Sequence, residues 1–361
     1  VGSEMCIRDR RPTRGAALGL RARVLLYAAS PLYNGNLDFF NVVDNKGNQL
    51  ISQTYDESKW AKAAAAAKDV IELAKTSGLY ELYTIAPKIG TLDMYRPPVH
   101  PEYSTKDYPD GWANIDPLLS YKSNFDGSVQ GSKNPELIFT RTSDGTGTIN
   151  DWMYQALPRT ISGNNRLCVT QKQVNAYAMN DGRTISEAAN TGDYVTTGFT
   201  TEAYSENNPF LPAKVSLMYN KREPRFYASI AYNGSVWEAA SASEPRYRNQ
   251  QIFYYRGTED GKQGFKEECP LTGMTLKKFY NSEDSRTDGG YVIEKTEMTI
   301  RYAEILLIYA EALNELSEGE VYHLKTYSNE DVEIKRDEDE MRYAIKRIRM
   351  RAGVPDYTNE T

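Results

Sequence analysis

Cysteine, histidine and tryptophan are all scarce in this chain of 361 residues, which holds three Cys, two His and four Trp. Three cysteines give no disulfide framework. His100 and His323 stand far apart in sequence, so a His-based metal site or a Ser-His or Cys-His catalytic pair is poorly supplied. An excess of positive charge is lacking as well. The formal net charge is -6 and is spread without long runs, which argues against a nucleic-acid footprint and against a basic membrane-surface helix. No apolar run approaches the roughly 20 residues that span a bilayer as a helix. Phosphate loops and nucleotide fingerprints are absent, and no cofactor is expected. Asp181-Gly182 and Glu259-Asp260-Gly261 read as plain turns; EF-hand spacing is missing and no metal is expected.

Tyrosine is what the chain has in excess, with 27 Tyr against 10 Phe. A flat apolar ring with a hydroxyl handle suits a wet surface that grips a ligand, although many such rings pack helices. The most strongly patterned stretch is Met298 to Leu316. Ile305, Ile308, Ala312 and Leu316 recur at helical spacing, as do Tyr302, Leu306, Tyr309 and Leu313. That band is too wide for a helix packed on one side only. Ala303, Leu307 and Ala310 also follow the small-large-small spacing of a second tetratricopeptide-type helix.

Other helices must supply its partners. Gly15 to Ala29 reads as one, with Leu18, Ala22, Leu25 and Ala29 on one face and Ser30-Pro31 as its stop. Thr54 to Glu57 has the form of a capping box before an alanine-rich helix from Trp60 to Ala74, ended by Gly78. Trp60, Ala63, Ala64 and Ala67 match the spacing of a first repeat helix, so Trp60 is expected in the core. Glu338 to Ala352 carries a stripe of Met341, Ile345, Ile348 and Ala352, closed by Gly353 and Pro355. Glu304 and Glu311 lie on one side of the patterned helix as a solvated or salt-bridged edge.

The middle differs. From about Tyr80 to Phe139 the helical period disappears among Pro, Gly and aromatics, with a short strand expected within Asn134 to Thr140. Residues 141–170 read as a Gly/Ser/Thr/Asn-rich loop carrying Asp151 to Tyr154. A short helix is expected within Val169 to Gly182, and a hairpin at Glu223 to Gly234 from the alternation of Phe226, Ala228 and Ile230 before Asn-Gly. Residues 235–297 read as short strands and turns, and Ser317 to Asp337 as an acidic loop. The fold class expected is mainly α: a tetratricopeptide-like α-superhelix with an inserted irregular lobe of short strands and long loops.

The ends read as artificial. Residues 1–10, VGSEMCIRDR, fit no targeting segment and back-translate into the transposon-end adaptor of library preparation. They are expected to be translated adaptor, which makes Cys6 foreign and leaves 11–361 as one domain. GVPDYTNET at the far end reads as a second truncation.

Eight stretches in order resemble the SusD/RagB family of outer-membrane nutrient-binding lipoproteins. They are ARVLLYAASPLYN (22–34), the helix at 60–74, NPELIF (134–139), VTQKQVNAYAMNDG (169–182), EPRFYASIAYNGSVW (223–237), PLTGMTLKKFY (270–280), RYAEILLIYAEALNE (301–315) and AIKRIRMRAGVP (344–355). The resemblance implies a helical scaffold at about 11–78 and 298–355 carrying a loop-rich ligand lobe at about 79–297. It also implies a lipid-anchored, surface-exposed protein of the cell outer membrane, its anchor missing from this fragment. Its implied partner is a SusC-like TonB-dependent transporter, and its implied ligands are oligosaccharides, bound without catalysis.

Sugar rings stack their C–H faces on flat aromatics while amides and Arg bond the hydroxyls. The best supplied positions for such contacts are Tyr95, Tyr108 and Trp112 in one stretch, and Trp152 and Tyr154 in another. Local packing is the alternative for each, and Trp112, in a Pro-Asp-Gly-Trp turn, is expected to escape burial. Two other function classes stand beside the glycan-binding one. A glycoside hydrolase needs two facing carboxylates, and 49 acidic residues make such pairs easy to find and uninformative. A helical-repeat scaffold would bind protein alone.

Overall fold

The computed structural model describes residues 12–87, 95–141, 148–208, 210–263 and 268–357. The expected adaptor segment 1–10, with Cys6, lies outside the described residues, as does the end of GVPDYTNET beyond Tyr357.

Helix α1 spans Arg14–Ala29, α2 Ser58–Ser77 and α3 Pro117–Lys122, followed by strand β1 at Leu137–Thr140. Then come α4 Ile149–Ala156, α5 Gln171–Asn175, α6 Ile185–Asn190, α7 Glu202–Asn207 and α8 Pro224–Ser229. Four short strands follow: β2 Ile230–Tyr232, β3 Val236–Trp237, β4 Gln250–Gln251 and β5 Met274–Leu276. Strand β6 Met298–Arg301 leads into α9 Tyr302–Asn314, then β7 Val321–Lys325, β8 Asp331–Lys335 and α10 Glu338–Arg351. Among the described residues the strands form two-stranded antiparallel pairs: β1 with β6, β2 with β5, β3 with β4 and β7 with β8. The fold is mainly helical.

The chain divides into two compact units. The first gathers the described residues within 1–82, 131–142 and 298–348; the second gathers those within 83–130, 143–297 and 349–361.

In the first unit α1 packs on α2, and both pack on α9. Small residues make this close approach possible. Gly15, Ala16, Gly19 and Ala22 are buried on α1, and Ala61 and Ala63 to Ala67 are buried on α2. A methyl added at Gly19 would come within 3.1 Å of the Ile300 side chain. Trp60 is buried as its helix position requires. Two ion pairs cross the helices. Arg21 reaches the buried Asp69 at 2.6 Å, and Arg23 grips both oxygens of Glu304 at 2.6 and 2.7 Å. The α9 band is buried on Tyr302, Ile305, Leu306, Ile308, Tyr309, Ala312 and Leu313, while Leu307 of the small-large-small pattern is 47% exposed.

Local chemistry sets the ends. The Thr13 hydroxyl accepts from the Ala16 N–H at 3.1 Å to cap α1, and Gly78 closes α2 with a left-handed φ of 65°. The capping box expected at Thr54 to Glu57 does not form. Helix α2 starts at Ser58, and the Glu57 carboxylate instead accepts the Ser317 N–H at 2.7 Å and its hydroxyl at 2.8 Å. Met298 to Arg301 is a strand, because it pairs with β1 before the chain turns into α9. The acidic loop expected at Ser317 to Asp337 is a hairpin. Its exposed and half-buried residues alternate along β7, and Asn329 turns it at φ 67°. Period two was present in that stretch under its acidic composition.

The second unit has several small cores. One surrounds Trp237 and Tyr280 with Met153, Leu157 and Ile161; another surrounds Phe226 and Tyr232 with Val174, Leu211 and Val215. Two buried cations are held by protein groups. Lys295 binds both oxygens of Asp284 at 2.7 and 2.9 Å, with both side chains fully buried. Arg222 donates to the carbonyls of Val174 and Tyr177 at 2.6 and 2.8 Å and lies over the Phe226 ring. The hairpin expected at Glu223 to Gly234 is corrected. Pro224 at the first helical position starts α8, and the Asn233-Gly234 turn joins two strands that pair with β5 and β4, not with each other.

Candidate functional site

The aromatic positions read from the sequence fall into three surroundings. Tyr95 is 4% exposed and packs edge-on against Phe210 and at a tilt against Tyr227, at 4.8 and 4.6 Å between centroids. Burial pushes its hydroxyl well above the usual tyrosine range. Trp112 is 6% exposed, packed with Ile115 and Met350, and Tyr108 lies half-buried against the same cluster. The expectation that the Pro-Asp-Gly-Trp turn leaves Trp112 in solvent is therefore wrong. Gly111 in that turn has backbone carbonyls where a side chain would stand, so the turn is pressed inward and carries the indole with it.

The other two positions sit on a helix, not in the expected loop. Thr148 and Asp151 form a capping box at the start of α4, and the Thr148 hydrogen bonds hold the Asp151 carboxyl below its usual range. Met153 and Ala156 anchor the helix in the core, which turns Trp152 outward, 52% exposed. Tyr154 is half-buried with the Arg286 guanidinium 4.4 Å from its ring centroid.

A better formed concavity lies elsewhere in the second unit. It is an open groove of about 510 Å³ lined by Phe199, Thr200, Lys214, Phe253, Tyr255 and Thr258. One wall is a short antiparallel ribbon. The Thr200 N–H donates to the Val215 carbonyl at 2.8 Å, the Lys214 N–H to the Thr200 carbonyl at 2.9 Å, and Phe199 bridges Ser216. Thr200 also locks the turn with its side chain, donating to the Pro212 carbonyl at 2.6 Å and accepting from the Val215 N–H at 3.0 Å.

The other wall is the run after β4. Alternation along extended backbone puts Phe253 and Tyr255 on one side, and their rings lie 12° from parallel with centroids 5.7 Å apart. Phe199 and Tyr255 are 59% and 49% exposed, so two of the three rings keep open faces. Gln251 ties the walls together, donating from one amide to the carbonyls of Ala213 and Gly234 at 2.7 and 2.9 Å. The Thr258 hydroxyl donates to the Phe253 carbonyl at 2.7 Å and folds the chain back.

Beyond Thr258 the chain is clamped. Arg159 donates to the carbonyls of Glu259 at 2.7 Å and Gly261 at 2.6 Å, and also to that of Glu268. The Thr160 hydroxyl donates to Asp260 at 2.5 Å, and Asn165 donates to the Asp260 carbonyl at 2.7 Å. Burial raises the Asp260 carboxyl against the pull of those Thr160 bonds. Asp181 is likewise taken by Arg183, at 2.6 Å. Both acidic turns thus spend their carboxylates on protein groups. Among the described residues no cluster of three or more His, Cys, Asp or Glu could hold a metal ion, and no helix is long and apolar enough to cross a membrane.

The groove was missed in the sequence because its residues come from three separate stretches. Phe253-x-Tyr255 alternation was its one local signal.

A family model, described as the SusD family, matches residues 135–361. The solved structure of BT4246, as selenomethionine protein, superposes with a TM-score of 0.66 at 22% identity, over 96% of this chain and 56% of that one. A SusD-like protein, BF3747 from Bacteroides fragilis NCTC 9343, gives a TM-score of 0.57 at 19% identity, over 100% of this chain and 50% of that one. At such identities the likeness is one of fold, and this chain spans about half the length of these structures. No curated relative matches the chain.

Proposed function

The chain belongs to the SusD family, and from that premise we propose that it is a non-catalytic glycan-binding protein of the cell surface. In this reading it takes oligosaccharides and delivers them to a SusC-like TonB-dependent transporter. It sits on the outer membrane through a lipid anchor carried upstream, its helices forming part of a tetratricopeptide-like superhelix and the lobe at about 79–297 holding the ligand. The observation that carries the binding reading is the pair of near-parallel rings, Phe253 and Tyr255, facing an open groove of about 510 Å³. Flat rings of this kind accept the C–H face of a pyranose, and the volume is that of a small-ligand site. Trp152 on the same unit, beside Tyr154 with its Arg286 contact, supplies a further exposed aromatic for a longer chain.

A hydrolase reading asks for two carboxylates flanking the bound sugar. None of the six residues that line the groove is acidic. The test is a binding panel of oligosaccharides titrated against the wild type and against Phe253→Ala with Tyr255→Ala. Loss of binding in the double variant supports the groove. Reducing ends released by the purified protein would replace this reading with the hydrolytic one.

A further inference from the structure

We propose that Lys214 makes the groove selective for acidic glycans, those carrying a carboxylate or a sulfate ester on the sugar that lies against Phe253 and Tyr255. The inference rests on the glycan-binding reading of the same groove and names the class of glycan.

Of the six lining residues, Lys214 is the only charged one. The two threonines beside it have little left to offer a ligand. Thr200 spends its hydroxyl on the Pro212 carbonyl and the Val215 N–H, and Thr258 spends its own on the Phe253 carbonyl. Among the described residues the Lys214 ammonium has neither an ion-pair partner nor a side-chain hydrogen bond. The free polar groups of the groove are therefore the Tyr255 hydroxyl and the Lys214 ammonium, and only the second carries charge.

Its position is built. Lys214 holds φ 65°, a left-handed conformation that lysine rarely adopts. The turn keeps it there from both sides. The Ala213 carbonyl accepts from Gln251 at 2.7 Å, the Lys214 N–H donates to Thr200 at 2.9 Å, and the Val215 N–H is held by the Thr200 hydroxyl. The root of the side chain is thus fixed at the rim of the apolar wall. Lys214 is itself exposed, so an anion reaches its ammonium freely, and the charge-assisted hydrogen bond gains strength where a sugar seated on the rings displaces water.

The rest of the chain sharpens the point. With a formal net charge of -6 the molecule repels anions at long range. Salt screens that repulsion beyond about 10 Å at 0.1 M, whereas a direct contact to Lys214 is screened much less. An acidic sugar is then accepted at this groove and not by the surface at large.

The experiment uses two matched pairs: oligogalacturonate with its carboxyl-reduced form, and chondroitin sulfate oligosaccharide with its desulfated, carboxyl-reduced form. Each is titrated calorimetrically against the wild type, Lys214→Met and Lys214→Arg, with thermal melts confirming that the variants fold. In at least one pair the charged member is expected to bind the wild type about tenfold tighter than its neutral counterpart, as one charge-assisted contact allows. Lys214→Met should erase that difference without weakening the neutral member, and Lys214→Arg should keep it. A preference in the oligogalacturonate pair identifies the carboxylate as a source; one confined to the chondroitin sulfate pair, whose charged member carries both groups, is assigned by titrating its desulfated form, which keeps the carboxylate. Equal binding of charged and neutral members by the wild type overturns the inference and leaves the glycan reading standing. So does a Lys214→Met variant that weakens both members alike. No binding to any of the four overturns the inference, and binding of other, neutral glycans through Phe253 and Tyr255 then decides whether the reading beneath it survives.

Discussion

Phe253 and Tyr255 stand two residues apart, their rings 12° from parallel and 5.7 Å between centroids. Two rings in that relation cover about the width of one sugar. Each contributes through dispersion and C–H contact, and neither depends on the other's position for its own fold. Phe253→Ala and Tyr255→Ala are each expected to weaken oligosaccharide binding by about tenfold, roughly the scale of a single aromatic contact. The double variant should lose less than the product of the two, since neighbours that share a ligand are not additive. Calorimetric titration of the four proteins checks this, and full additivity would show that the two ring contacts are energetically independent.

Arg159 holds the segment that follows the groove wall by donating to three carbonyls, those of Glu259, Gly261 and Glu268. A planar guanidinium can fan its donors across three acceptors, and an ammonium cannot reproduce that geometry. Arg159→Lys and Arg159→Ala should both lower stability by about 1–3 kcal/mol, the scale of hydrogen bonds from a charged donor. Hydrogen exchange should speed up at Thr258 and Gly261, whose N–H groups donate within this turn, while the amides of α2 stay unchanged. A Lys variant as stable as the wild type would show that a point charge suffices.

The helices were legible because their signals are local and agree with one another. The alanines of α2 and its closing glycine, and the apolar band of α9, all sit within one stretch of sequence. Errors came where a tertiary partner decided the outcome. Met298 to Arg301 continues the helical pattern in sequence, yet β1 claims it as a strand. Glu57 has the spacing of a capping box, yet Ser317 takes its carboxylate. The site was least legible of all. Whether an aromatic faces solvent depends on what lies over it, and nothing within the Tyr95 or Trp112 stretches reveals Tyr227 or Met350.

Trp112 and Trp152 give a direct contrast in role, one 6% and the other 52% exposed. Trp112→Ala should destabilise the protein by about 3–5 kcal/mol, because removal of a buried indole leaves a cavity beside Ile115 and Met350. Trp152→Ala should stay within about 0.5 kcal/mol of the wild type, as a surface change away from caps and cores does. Chemical denaturation measures both. If Trp152 extends the ligand site, its alanine variant weakens binding of long oligosaccharides more than that of short ones, with stability unaltered.

Glu57 links stability to pH in a way the Ser317 contact makes specific. The Ser317 backbone N–H holds the carboxyl below the usual glutamate range against the opposing effect of burial, with smaller help from the Ser317 and Tyr322 hydroxyls. A carboxyl whose folded pKa lies below its unfolded value of roughly 4.3 stabilises the fold above that unfolded value. The contribution is lost as pH falls through the folded pKa. The Glu57→Gln variant lacks this titration. It should therefore melt below the wild type at neutral pH, and the gap should close as the buffer is taken below about pH 4.3. A gap that stays constant down to strong acid would mean that Glu57 acts through packing and not through its charge. The Ser317→Ala variant provides the complementary check. It removes the hydroxyl and keeps the N–H, the stronger of the two contacts, so its melting curves should retain most of the wild-type pH dependence.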